Sequence, residues 1–300
     1  MTATRTETDS LGTIDIPADR YWGPQTERAR RLFRIGRDRF APRVIRAQGL
    51  QKWAAAEANR RLGELPDDLA QAIQRAAEEI ESGARDADFP LPVWQTGSGT
   101  QTNMNANEVI ANRASEMLGG ASGSRALVHP NDHVNRGQSS NDSFPTVMHL
   151  AAYGAVAEDL IPALGALRDA LEEKARAWAR IVKVGRTHMM DAVPVTLGGE
   201  FSTWARQVAN GIARLRDTLP RLALLPQGGT AAGTGLNRHP DFDRLFCEVV
   251  AARSGHPFAP NPDKSEGMAA HAAFVELSGA LNTVAVSLTK IANDIRLLGS

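Results

Sequence analysis

Small polar side chains crowd into five short stretches of this sequence, and their types and spacing limit the chemistry open to it. Residues 97–105 run Gly-Ser-Gly-Thr-Gln-Thr-Asn-Met-Asn. Glycines let backbone N–H groups approach an anion, and the hydroxyls of Ser98 and Thr100 add donors. An ordinary Gly/Ser turn has the same composition, and the stretch lacks the Gly-Lys-Ser/Thr ending of a phosphate loop. Residues 129–135 hold His129, Pro130, Asn131, Asp132 and His133. Two histidines four apart beside an aspartate invite a metal reading. Pro130 and the Asn131-Asp132 pair favour a turn over a helix, and no glutamate completes an H-E-x-x-H pattern, so no metal is expected. Residues 137–145 place Ser139, Ser140 and Asn141 where a long helical stripe begins. These residue types cap helices, and the same free N–H groups can bind a carboxylate. Residues 185–194 put His188 in a polar loop beside Thr187 and Arg186. A lone loop histidine is as readily a solvated group or a structural hydrogen-bond partner. Residues 227–235 make a Gly-rich connector with no strand before it and no acidic partner at dinucleotide spacing.

Long helices must position these loops. Leu150, Tyr153, Ala157, Leu160, Leu164, Leu167 and Leu171 step alternately by three and four, and so do Phe274, Leu277, Leu281, Val284, Leu288, Ile291, Ile295 and Leu298. Phe201, Trp204, Val208, Ile212, Leu215, Leu219 and Leu222 come close to the same period. Each set lays one apolar stripe along a helix, and three such helices imply a bundle. Pro162 should bend or break the first. Shorter helices are expected over residues 43–62 and 67–82, each opened by a proline, and near residues 107–118. Strand-like alternation is scarce. The expected organisation is mainly α: an N-terminal mixed helical domain over residues 1–137, then an incomplete long-helix bundle over residues 138–300.

Composition adds exclusions. The 300 residues carry 34 basic and 34 acidic side chains, so no global field draws nucleic acid or an anionic membrane. No apolar run approaches the ~20 residues of a membrane helix. Cys247 is the only cysteine, which excludes an intramolecular disulfide or an iron–sulfur cluster on several thiolates. A polar N-terminus with Glu7 and Asp9 resembles neither a secretory signal nor a transit peptide, and a cytoplasmic location is expected.

Taken together and in this order, the segments resemble the fumarase/aspartase superfamily. The resemblance runs from Arg5-x-Glu7-x-Asp9-x-x-Gly12 and Tyr21-Trp22-Gly23-x-Gln25-Thr26 through the loops above. It ends with Ser278-Gly279-Ala280-Leu281-Asn282-Thr283 and Lys290-Ile291-Ala292-Asn293-Asp294-Ile295-Arg296. Ser98-Gly99-Thr100-Gln101 and Ser139-Ser140 look like class II fumarate hydratase, where aspartases show Ala-Gly-Thr-Ser and Ser-Thr. An aspartate ammonia-lyase-like member, or a non-catalytic structural product of the same ancestry, are the alternatives.

The resemblance implies reversible hydration of fumarate to L-malate, within the tricarboxylic acid cycle, by a cofactor-free homotetramer whose sites are shared between subunits. It implies substrate binding by Ser98, Gly99, Thr100, Ser139, Ser140, Asn141 and Thr187. Thr187 and His188 would come from a neighbouring subunit and handle a proton. A second anion site would map to His129, Pro130, Asn131 and Asp132. The family's G-S-S-x-M-P-x-K-x-N-P loop, source of the base at C3, does not occur in these 300 residues, and neither does the family's C-terminal domain. The expectation is that this chain alone, purified free of host fumarase, shows no measurable hydration of fumarate, because catalytic groups acting as a unit do not substitute for one another. Loss of fumarate absorbance catalysed by the isolated chain would overturn that assignment of roles.

Overall fold

The computed structural model describes residues 3–121, 123 and 126–300. It opens with an antiparallel hairpin that the sequence reading passed over: β1 (Thr4–Asp9) pairs with β2 (Gly12–Pro17), and Ile14 and Ile16 turn into the core. Three helices follow: α1 (Pro24–Leu32), α2 (Pro42–Arg61) and α3 (Asp67–Glu81). The first two start on a proline, whose missing N–H costs nothing in the first turn. α4 (Thr100–Met117) begins seven residues earlier than expected, because the polar residues after Gly99 are already helical.

α5 (Ser140–Gly154) runs through a π-helical turn, Ala155–Leu160, into α6 (Ile161–Ala177). The break expected at Pro162 takes this form: the proline sits in the first turn of α6, and the wider turn ahead absorbs its missing N–H. A second hairpin, β3 (Val182–Thr187) and β4 (Met190–Thr196), stands where a polar loop was expected. Then come α7 (Leu197–Leu222), the two-residue β5 (Leu224–Leu225), α8 (Phe242–Ser254), the two-residue β6 (Ala259–Pro260) parallel to β5, α9 (Lys264–Ala269) and α10 (Ala272–Leu298).

The chain forms two compact units, residues 1–151 with 223–271, and residues 152–222 with 272–300. These do not follow the boundary expected at Gly137. The first turns of α5 belong with the N-terminal residues because Asp142 is bonded to the 228–230 loop and Phe144 stacks edge-on against Phe40. In the first unit, alanines on α2 and α3 let the helices touch. A Cβ on Gly49 would lie 2.8 Å from the Ala77 carbonyl oxygen. Ile73, Ile80, Ile110 and Val128 fill the core beside them. In the second unit, Trp204, Val208, Ile212 and Leu215 of α7 are buried, and Val284 of α10 packs on Gly211. On α10 only Leu277, Val284 and Ile291 of the expected stripe are buried, each seven residues from the next, while Leu281 and Ile295 stay exposed.

Two helical stretches, residues 140–177 and Ala272–Leu298, are long and apolar enough by length and composition to cross a membrane, which the sequence reading did not expect. Leucine, valine, isoleucine and alanine between few charged residues raise their mean hydropathy, and the seam of a bundle helix has the same composition.

The early sequence motifs prove to be clasps. Arg5 donates to the carbonyls of Pro17, Arg20 and Trp22 and pairs with Glu7, and Arg28 pairs with Asp9. Glu108 of α4 accepts from the backbone N–H groups of Gly23, Gln25 and Thr26 at 2.9, 2.8 and 3.0 Å, so it caps α1 from another helix. Burial pushes the Glu108 carboxyl up despite these bonds. Replacing it by alanine orphans three donors at once. Glu108→Ala should lower unfolding free energy by about 3 kcal/mol, read as a urea midpoint, with Glu108→Gln retaining part of the loss; a change within error would show that water caps α1 equally well.

Candidate functional site

Two helix N-termini meet at the site, those of α4 and α5. Gly99 precedes α4 with φ +67°, and the Gln95 side chain accepts from the Thr102 N–H in the first turn at 3.1 Å. A Cβ on Gly99 would fall within 2.1–2.4 Å of the Phe144 ring, so both the turn and the ring require glycine. The tight turn carries a line of hydroxyls. Thr96 lies 3.3 Å from Ser98, Ser98 lies 3.0 Å from Thr100, and Thr100 lies 2.9 Å from Ser140 on α5. Ser139 accepts from the N–H of Asn141, and the Asn141 amide donates to the Ala231 carbonyl at 2.9 Å.

Beside this line lies a cleft of about 480 Å³. Phe144, Pro145, Met148, Met268 and Ala269 give it an apolar wall, and Ser98, Asn141, Ser265 and His271 give it polar edges. That mixture suits a small organic anion: an apolar body is enclosed while a few donors fix its ends.

Beneath the hydroxyls is a buried polar network. Asp142, wholly enclosed, accepts from the N–H groups of Ser139, Gly228 and Thr230 at 3.0, 2.9 and 2.9 Å and from the Ser143 hydroxyl at 3.2 Å. Thr230 pays for that bond with φ +56°, an uncommon conformation for a β-branched residue. Lys52, also fully buried, donates to Asn135 at 3.0 Å and Gln138 at 2.9 Å, and Gln51 bonds Gln138 and Gln227. Burial pushes the Lys52 ammonium down to about 7, and Asp142 opposes that shift. Burial pushes the Asp142 carboxyl up to about 6, against its backbone bonds and Lys52.

The sequence-predicted residues fall into three places. Ser98, Gly99, Thr100, Ser139, Ser140 and Asn141 come together at the two helix ends. Thr187 and His188 lie in the other compact unit, at the tip of the β3–β4 hairpin. His188 and Met189 form its two-residue turn with φ +54° and +62°, and both are exposed. Positive φ at both turn positions matches the twist of the strands. The 129–132 stretch lines no part of the cleft. Pro130–Val134 forms one π-helical turn packed on α4, and His129 Nδ1 accepts from the N–H groups of Asn131 and Asp132. Among the described residues, no group of three or more His, Cys, Asp or Glu side chains could hold a metal ion.

Residues 12–300 match a protein family described as lyase. The chain belongs to this lyase family. Among the relatives of this lyase-family chain, the class II fumarate hydratase 2 of Bradyrhizobium diazoefficiens is 58% identical over 99% of the chain and 63% of its own length. The class II fumarate hydratase of Caulobacter vibrioides is 57% identical over 100% of the chain and 65% of its own. The crystal structure of a class II fumarase from Schistosoma mansoni superposes with a TM-score of 0.97 at 40% identity, covering 99% of this chain and 66% of that one. The fold is therefore the mainly α architecture of the fumarase/aspartase superfamily, and the chain spans about two thirds or less of the length of these relatives.

Lys52, Gln51, Gln138, Asp142 and His271 were not singled out as site residues from sequence. A lysine inside an alanine-rich helical stretch, at an inward-facing position, is the signal that could have found Lys52. His271 offered none, being a single histidine between two helical stripes.

Stability should report on Asp142. Its folded value near 6 lies above the ordinary 3.8, so the native state holds the proton more tightly than the unfolded chain. The stability this contributes is complete below pH ~4 and is lost as pH rises through about 6. The parent's stability minus that of Asp142→Asn should therefore fall between pH 4 and 6 and level off above. A difference that grows over that window would contradict the assigned burial.

Proposed function

We propose that this chain carries the dicarboxylate-holding part of a class II fumarate hydratase, which interconverts fumarate and L-malate. The observation that carries the reading is the hydroxyl line Ser98–Thr100–Ser140 with Asn141, set where the ends of α4 and α5 meet. Removing the C3 proton of malate builds a dianionic aci-carboxylate, and a site for it needs fixed donors on the growing charge. Hydroxyls held at two helix N-termini supply these without reorganising. Asn141 spends one amide hydrogen on Ala231 and keeps the second for substrate.

On this reading Thr187 and His188 serve the site of a neighbouring subunit. Their position at an exposed hairpin tip supports that role, since a tip can project into another chain without disturbing its own core. His188 would pass a proton to or from the C2 hydroxyl, directly or through water. The homotetramer and the cytoplasmic location belong to the same proposal, which assigns no chemical step to a metal or cofactor. The names of the relatives support hydration of fumarate over loss of ammonia from aspartate.

The test uses a chimera in which this chain is continued by the C-terminal third of a relative. His188→Asn should lower turnover of malate by roughly 10²–10⁴-fold while the oligomer measured by light scattering is unchanged. Turnover within twofold of the parent would remove His188 from the mechanism.

A further inference from the structure

The cleft beside Ser98 and Asn141 is edged by one more group that neither the motifs nor the hydroxyl line accounts for. His271 lines it, half-buried, between the end of α9 and the start of α10. Its backbone adopts φ +51°, a left-handed conformation uncommon among non-glycine residues. Among the residues lining the cleft, from the 97–98 turn, α5, the 231–232 loop and α9, it is the one titratable side chain. The charged groups of α9 are engaged elsewhere. Lys264 pairs with Asp243 at 2.6 Å, and Glu266 accepts from Asn261.

The serines and asparagine lining this cleft are neutral donors, so the lining offers a dianion no opposite charge unless His271 is protonated. We propose that His271 is a recognition residue for the dicarboxylate, adding a proton-dependent positive charge to the cleft. This rests on the dicarboxylate reading above. The sign is fixed by linkage. A carboxylate near an imidazolium favours the charged form, so binding raises the His271 pKa and draws a proton into the complex. Affinity is then greater below that pKa and falls as pH rises through it. By reciprocity, the factor by which protonation strengthens fumarate binding equals the factor by which fumarate shifts the protonation equilibrium.

The experiment follows fumarate binding to the 300-residue chain by NMR between pH 5.5 and 8. The side-chain amide of Asn141 reports occupancy, and the imidazole resonances of His271 report protonation. Saturating fumarate should raise the His271 pKa by about one unit, and affinity should weaken roughly tenfold across the window. His271→Asn, chosen because asparagine tolerates a left-handed backbone, should retain binding and flatten that pH dependence. His271→Lys should bind with the strength of the low-pH parent at both ends of the window. Circular dichroism establishes that the variants are folded. An unshifted His271 pKa, or an equally steep pH dependence in folded His271→Asn, overturns the proposal while leaving the dicarboxylate site standing. Absence of any Asn141 response to fumarate in the parent chain defeats the dicarboxylate reading, and the role of His271 with it.

Discussion

The arrangement of the site depends on Asp142, a carboxylate taken almost wholly out of water in the first turn of α5. Leaving an ion there is costly unless donors replace its hydration. The replacement comes from two segments far apart in sequence: the N–H of Ser139, just ahead of the helix, and those of Gly228 and Thr230 in the Gly-rich connector. One side chain therefore holds the α5 terminus and the 228–235 loop in register, and Asn141 and Ala231 meet as a consequence. Lys52 supplies an opposite charge without direct pairing: it donates to the Gln138 amide oxygen, which the Ser143 hydroxyl reaches at 3.5 Å, and that hydroxyl lies 3.2 Å from Asp142. Amides make good intermediaries because each both accepts and donates. A network built this way fixes geometry only when every member is present, since low dielectric makes an unpaired member expensive.

The same device recurs through the first compact unit. Glu108 ties three N–H groups at the start of α1. Asp88 takes the N–H of Tyr21, and burial raises its carboxyl. Burial works against ionisation of Glu27 as well, yet bonds from Arg30 and Arg31 win and hold it below the usual range. A unit made of short helices and loops has few ladders to fix its connections. Buried carboxylates bonded to backbone N–H groups do that work, and the Arg5-to-Thr26 motifs are their visible trace in sequence.

Helix periodicity made α7 and α10 legible within a few residues, and turn chemistry made the cluster of Ser98, Thr100, Ser140 and Asn141 legible as a polar loop region. Three things were not. The hairpins escaped because β1 alternates polar residues of both faces, giving no apolar signal of period two, and because the 182–196 stretch is broken by a histidine turn and Pro194. The compact units escaped because the chain returns: residues 223–271 complete the N-terminal unit, and nothing local in a sequence marks a return. Lys52 and Asp142 escaped as partners because the path between them runs through Gln138 and Ser143, across 90 positions of sequence. Two unlike charges in separate motifs announce no such relay.

The second unit reads differently, and its physics bears on how the proposed site would be completed. On α10 the buried residues Leu277, Val284 and Ile291 recur every seven positions, the spacing of a narrow seam, while Val275, Val286, Ile295 and Leu297 face outward. The β3–β4 hairpin exposes Val182, Met189, Met190 and Val193 in the same manner. A fold gains nothing from apolar side chains in water, and exposure of this kind is what the proposed assembly would cover. His188 stands among these residues, in a turn whose two left-handed positions are held by non-glycine residues. Strain of that sort is tolerated where surroundings over-determine the backbone, and within this unit the tip is exposed. A neighbouring subunit that covered the hairpin would bury the methionines and fix the turn together, so the energy of assembly and the placement of the proposed proton-transfer group would come from one contact.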